Sequence, residues 1–518
     1  LTALCVKYDE GRRLPQDFYA LYDAVVSQVL HKRYATENER SAARNRLAAI
    51  ALGMHCGEAD YPRETPEAEV TVEEVDRTLA ELAATDWATE RGATEACAKR
   101  ESLLSDSGLL LPRDNRRAAF YHFSFQEFLA AQRLFQLREP PRDILARYAR
   151  TPAWQRTLRF LFCTIAEREL PERAIGAWRS LLPSFEPAAL DANPAPALVL
   201  ADGLEVAHAK GWRIDEFKAP LRAACEHALH HLSPDVRAQL WRTLGRLGLD
   251  DRRGVGLRTD GLPDIEWCEV PEGEFLFGRD DEPRWLPAFR IAKYPVTNVQ
   301  FQAFIDAGGY EQPEWWGDGV SSPAPAPGVW LEPNVPRVMV SWHEAGAFCR
   351  WLESQLRESG EFPDEWRIAL PGEEEWERAA LGSQGAGLPS EGRKAVDEPG
   401  GTAPSGSVAS IGATFQRAYP VGIHPEDEAQ NGARDMVGGV WEWCHNATEP
   451  TTPLSGTEND ERVIVGGVVY SRGRPFSDLS IRAFGNSSHR ESDLGFRIVS
   501  LSDEVAHSEE RGRAPSVA

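Results

Sequence analysis

Cysteine and histidine are the residue types here best suited to chemistry, and their spacing limits what they can do. Cys5, Cys56, Cys97, Cys163, Cys225, Cys268, Cys349 and Cys444 form no Cys-x-x-Cys pair. Most sit in apolar stretches, so they read as free, buried thiols of a reducing compartment rather than a disulfide framework. His227, His230 and His231 have the i, i+3, i+4 spacing that brings imidazoles over one helix face. No further ligand with sensible spacing accompanies them, so a surface or packing role is expected. No Gly-x-x-x-x-Gly-Lys-Ser/Thr loop occurs in the sequence, so nothing cradles phosphates as a P-loop does.

The elements that must position such residues belong to a long chain. At 518 residues it exceeds one hydrophobic core, and about three domains are expected. Its 42% apolar and 26% charged residues are ordinary for a globular protein. A net charge of -23 leaves no basic surplus for releasing phosphate counterions, which argues against a nucleic-acid partner. No run approaches the roughly twenty apolar residues of a membrane span, and no signal-peptide pattern opens the chain. A cytoplasmic protein without membrane contact is expected. The chain starts at Leu1 without Met and in mid-pattern, which reads as part of something longer.

Residues 1–145 and 146–255 show mainly the helical period. Within the first stretch, Ser102-Leu103-Leu104, Gly108 to Pro112 and Ala119 to Phe123 read as helix, strand, turn, strand. Ser124 to Glu127 then reads as a capping box, with Phe125, Phe128, Leu129 and Leu134 as a buried stripe. This passage, with the phrase from Phe123 to Ala131, resembles the winged-helix end of NACHT-type signal-transduction NTPases. The resemblance implies an ATPase core upstream and self-association through it. Residues 146–255, punctuated by Pro171, Pro183, Pro194 and Pro196, suggest HEAT-like helices without a clean repeat period.

After Pro263 the texture becomes rich in Gly, Pro and Trp, with short strands. Thr297 and Gln300 form one capping box, opening a helix with Phe301, Phe304 and Ile305 inward and ended by Gly308-Gly309. Ser341 caps a second helix carrying Ala345, Phe348, Cys349, Leu352 and Leu356, with Gly360 as its stop. Leu370 to Ala380, Asp435 to Trp443, Val465-Gly466-Gly467 and Leu494 to Val499 complete an ordered series of phrases. From Ile265 to Val499 the series resembles the formylglycine-generating-enzyme, or sulfatase-modifying factor, family. The expected fold is therefore α+β: an all-α N-terminal region with a winged-helix-like unit, then a C-type-lectin-like domain over 263–500 with much irregular structure. A disordered tail over 501–518 is expected to follow.

The resemblance also sets out what the domain would need for catalysis. Oxygen-using members bind copper through two cysteines after the Gly-Gly pair, as Cu(I) requires of soft ligands. Those positions fall near Ser471 and Phe476, and no cysteine follows Cys444. Related nonheme-iron sulfoxide synthases take histidines partly from another N-terminal domain, and His343, His424, His445 and His489 show no facial-triad spacing. Neither copper nor iron is therefore expected. In the same family a loop matching Asp435 to Glu442 binds calcium, which implies carboxylates from Asp435 and Glu442 and carbonyls from Gly438 and Val440.

The family's active-site surface lies between Gly467 and Leu494. Here that stretch holds Tyr470, Ser471, Arg472, Arg474, Phe476, Ser477, Asp478, Ser480, Phe484, Asn486, Ser487, Ser488 and His489, a mixture of aromatic and adaptable polar groups such as recognition surfaces use. Its layout resembles the variable proteins of diversity-generating retroelements, which share the C-type-lectin scaffold. The expectation is a non-catalytic domain that binds a protein or other macromolecule through a face laid out like a diversified one. The alternative is a metal-dependent oxidoreductase of the sulfatase-modifying or nonheme-iron sulfoxide-synthase type.

Overall fold

The computed structural model describes residues 18–502 except 59–60, 64, 86–95, 150, 279–280, 317–321, 361, 364, 383–417, 426, 437–438, 448–459, 467–468, 472–473 and 477–481. The chain divides into two compact units, Leu1–Ala224 and Cys225–Ala518.

In the first unit, Glu37–Cys56 opens on a true capping box between Thr36 and Glu39. A small antiparallel sheet follows, with Arg117–Phe120 between Val70–Thr71 and Leu110–Pro112. This is the strand pair expected from the sequence, with one more strand added. The helix after it, Phe123–Leu137, starts earlier than the Ser124 cap implies. His122 is the N-cap and accepts from the Ser124 amide through Nδ1 at 3.2 Å. Glu127 is thereby released from a capping role and pairs with Arg156 at 3.3 Å instead. Phe125, Phe128, Leu129 and Leu134 are buried, as their spacing requires. Buried His55 joins helix to helix through Thr157, at 2.9 Å between Nε2 and Oγ1. Burial pushes its imidazole down to about 4. Helices Gln155–Arg168 and Ala195–Ala209 pack further along this unit.

The second unit begins ahead of the Gly/Pro/Trp-rich stretch. Helix Pro234–Arg246 packs on it: Arg237 and Arg242, joined by Arg252 from the segment after the helix, donate to the carbonyls of Ile423, Ala418 and Val421 at 3.1, 2.8 and 2.8 Å. Asn334 donates to the Trp241 carbonyl at 2.8 Å. These contacts satisfy the polar backbone of loops that have no strand partner.

Two four-stranded sheets form the frame. One is antiparallel, in the order Trp366–Ala369, Val499–Ser502, Phe289–Ala292, Trp267–Val270. The other runs Ala483–Asn486, Glu461–Val465, Trp441–Ala447, Leu494–Gly495, and its last pairing is parallel. Both expected capping boxes are present, at Thr297 on helix Asn298–Asp306 and at Ser341 on helix Trp342–Glu358. Phe301, Phe304, Phe348, Trp443 and Phe496 lie in one core cluster. Each large apolar side chain removed from water contributes about 1.5–3 kcal/mol. Gly308 and Gly360 close their helices at φ 76° and 74°, a conformation that side chains resist.

Candidate functional site

The phrase from Asp435 to Trp443 folds back toward the first sheet, and there Arg497 meets it. The Arg497 guanidinium donates to both oxygens of Glu442, from Nε at 2.6 Å and from Nη2 at 2.8 Å. Trp376 adds an indole N–H to Glu442 at 2.9 Å. Arg497 also reaches the carbonyls of Ala292, Arg434 and Asp435 at 3.3, 3.0 and 3.2 Å. Both charged side chains are fully buried. A pair so desolvated is tolerable only because nearly every lone pair and proton is used. It ties the second sheet, through Glu442, to the first.

Asp435 sits beside this knot in a left-handed conformation, φ 57°, which Asp tolerates better than most residues. Its Oδ2 accepts from the Gly422 amide at 2.6 Å. Burial pushes its carboxyl up, against the pull of that hydrogen bond and of His424, Arg497 and Arg252. With Pro295, Pro336, Tyr419 and Val440 it lines a cavity of about 20 Å³, room for about one water molecule. Of the set implied for calcium, Asp435 and Val440 thus border a space of ion size, Glu442 gives its oxygens to Arg497 and Trp376, and Gly438 lies outside the described residues.

A second cluster forms where the N-terminus of helix Trp342–Glu358 meets the strand Ala483–Asn486 and the turn after it. His343 Nε2 lies 3.0 Å from Ser487 Oγ, and the Trp342 amide donates to the Ser487 carbonyl at 3.0 Å. The Trp342 indole donates to the Cys444 carbonyl at 3.0 Å. Its ring carries the Arg462 guanidinium 4.1 Å above the centroid and has the His343 and His445 rings at 5.3 and 6.2 Å. Arg462 is completely buried. It donates to the His445 carbonyl at 3.2 Å and to Asp460 at 3.4 Å, while among the described residues its Nε has no hydrogen-bond partner. Burial lowers its affinity for its proton. Beside this cluster Glu344 takes a bidentate pair from Arg490 at 2.7 and 2.8 Å, together with the Tyr310 hydroxyl and the Ser341 cap.

The residues expected to form a face separate into three groups. Phe484 is 58% exposed, and Ser488 and His489 are exposed with it. Asn486 is turned inward to close the turn, accepting from the Ser488 amide at 3.0 Å, and Ser487 is buried against His343. Tyr470, Ser471, Arg474 and Phe476 lie in a two-stranded hairpin with Tyr470 opposite Pro475 and Ser471 opposite Arg474. Arg472, Ser477, Asp478 and Ser480 fall outside the described residues. Trp342, Arg462 and Asp460 were not foreseen as neighbours of this face. The Ser341-Trp342-His343-Glu344 phrase carried the only local signal, because a capping box fixes where its first-turn side chains point.

The described side chains do not by themselves fit copper or iron. Burial pushes the thiol of Cys268 up to about 11, that of Cys349 to about 12 and that of Cys444 well above its ordinary value. They are therefore protonated at neutral pH and offer no thiolate pair. Among the described residues of the second unit, no three His, Cys, Asp or Glu side chains bring ligand atoms together.

Comparison with known proteins places these features. The sulfatase-modifying factor enzyme 1-like domain matches residues 263–501, and the winged helix-turn-helix domain C-terminal to NACHT matches residues 23–134. The hercynine oxygenase of Mycolicibacterium thermoresistibile is 33% identical over 184 residues, 32% of this chain and 37% of the relative. That of Mycolicibacterium smegmatis is 31% identical over 245 residues, 38% and 53% of the two chains. The chain thus spans about half or less of the oxygenases it matches. The inactive C-alpha-formylglycine-generating enzyme 2 of Mus musculus is 28% identical over 288 residues, 46% and 86% of the two chains. Among solved structures, Treponema denticola variable protein 1 superposes with a TM-score of 0.33 at 21% identity, covering 47% of this chain and 97% of that one.

These similarities correct three expectations. A non-catalytic binding protein, the absence of enzyme activity and the exclusion of copper and iron are all overturned by the oxygenases at 31–33% identity. The metal-dependent oxidoreductase, held as the alternative, is the reading they favour. The missing thiols after Cys444 argue only against one copper arrangement, and the spacing of His343, His424, His445 and His489 along the chain does not exclude iron. Among the described residues no helix is long and apolar enough to cross a membrane. Residues 263–501 are thus a sulfatase-modifying factor enzyme 1-like domain, and residues 23–134 are a winged helix-turn-helix domain of the kind found C-terminal to NACHT.

Proposed function

We propose that the second unit is the catalytic domain of a metal-dependent oxidoreductase of the sulfatase-modifying or nonheme-iron sulfoxide-synthase type. The observation that carries this reading is the 31–33% identity to hercynine oxygenases. The geometry adds a division of labour. The Arg497–Glu442 knot ties the two sheets together, and the exposed Phe484, Ser488 and His489 would offer the organic substrate a face, backed by the buried Ser487–His343 contact. The metal would supply oxygen activation. Because the described side chains of this unit bring no ligand triad together, no step is assigned to residues around it.

The test is oxygen uptake by the full chain. Protein loaded anaerobically with Fe(II), and separately with Cu(I), is exposed to oxygen with hercynine plus cysteine, and in a parallel arm with a cysteine-bearing peptide. Uptake and a matching product mass in one arm are expected. No uptake above metal-free protein in either arm, with either metal, overturns the reading.

A further inference from the structure

We infer that His227 and His231 form a two-histidine chelate for a divalent transition-metal ion, zinc or copper(II), at the C-terminal end of helix Asp215–His231. The inference is independent of the oxidoreductase reading. Residues four apart lie one turn above each other on a helix. Here the two rings go further than sharing a face: their centroids are 4.3 Å apart and their planes differ by only 9°. One nitrogen of each ring lies within 4.8 Å of the other, while the lone pairs, which lie in the two parallel ring planes, do not converge in the stacked arrangement. A tetrahedral ion with Zn–N bonds of about 2.0–2.1 Å needs its two nitrogens about 3.3 Å apart. Turning the two rings out of the stack about their side-chain torsions brings both lone pairs onto one ion and closes that difference.

Three further features favour an ion over simple packing. His231 is exposed and His227 half-buried, so water can complete the coordination shell. Imidazole is a preferred ligand of zinc and copper among the biological metals. The pair also lies in the last turns of its helix, where the partial negative charge of unpaired carbonyls stabilises a cation. His230 occupies the next position around the helix and is not part of the stacked pair.

The test uses the full chain without a histidine tag. Zinc binding is measured calorimetrically on wild type, His227→Ala, His231→Ala and the double variant, with helix content checked by circular dichroism. Each single substitution is expected to weaken binding at least about tenfold, since one of two protein ligands is lost, and the double variant to lose the site. With copper(II), electron paramagnetic resonance should report two imidazole nitrogens in wild type and one in each single variant. Equal zinc stoichiometry and affinity in wild type and the double variant would overturn the inference. So would a copper spectrum unchanged by either substitution. Neither result touches oxygen turnover.

Discussion

Two polar clusters in the second unit are built on the same kind of residue, a completely buried arginine, and they end in opposite states. Arg497 spends its guanidinium on both oxygens of Glu442 and on backbone carbonyls. Arg462 lies over the Trp342 ring, makes two longer contacts and, among the described residues, keeps one nitrogen unbonded. A saturated buried ion pair fixes one geometry, because any change strands a charge. A partly satisfied one can accept a new partner at modest cost. The first cluster is the frame of the domain, and the second lies beside the face assigned to substrate.

The most forceful way to break this comparison is to unpair the frame. Arg497→Met or Glu442→Gln should each cost about 3–5 kcal/mol, the penalty for leaving one buried polar partner stranded. Chemical denaturation of the soluble variants measures it, and combining Arg497→Met with Glu442→Leu should restore part of the loss. If either single variant is as stable as wild type, the frame has been misassigned. In the second cluster, Trp342→Leu removes the ring beneath Arg462 and should cost about 2 kcal/mol, the value of a desolvated cation–π contact. Ser487→Ala should cost less, about 1 kcal/mol for one hydrogen bond to His343, read from the same denaturation curves.

A pH measurement sharpens the contrast with the smallest effect. Asp435 has its folded carboxyl pushed above the ordinary value of 3.8. Its protonated form is favoured by folding, so its contribution to stability is present below that value and is lost as pH rises through the folded one. Asp435→Asn keeps an oxygen for the Gly422 amide and tolerates the left-handed backbone. It should therefore be more stable than wild type at pH 8, with the advantage fading on acidification toward the unfolded value. Melting curves across pH report this directly. A constant offset at every pH would show that the effect is steric rather than electrostatic.

Much of the frame was legible along the chain, because local rules write helix ends. Thr297 with Gln300 and Ser341 with Glu344 need only their own first turns to be recognised, and the apolar stripe behind each announces the buried face. The His122 cap was not legible. Ser124 with Glu127 reads locally as a capping box, yet Glu127 pairs with Arg156 on another helix, a partner that no local pattern announces. The second cluster was legible only in part. Its members Ser487 and His343 stand 144 positions apart in sequence, and no local pattern tells an inward serine from the exposed His489 two residues later.

By itself the sequence determined the fold class, the family phrases in their order, the absence of a P-loop and of any thiol after Cys444, and the i, i+4 placement of His227 and His231. Each of these is a matter of residue type, short-range period or simple presence. The tertiary structure alone decided that Arg497 fills the loop at Glu442, that helix Pro234–Arg246 packs with the second unit, and that the two imidazoles stack in parallel. Those outcomes depend on which distant groups share a desolvated space, where an unpaired charge or donor costs more than any local propensity can offset.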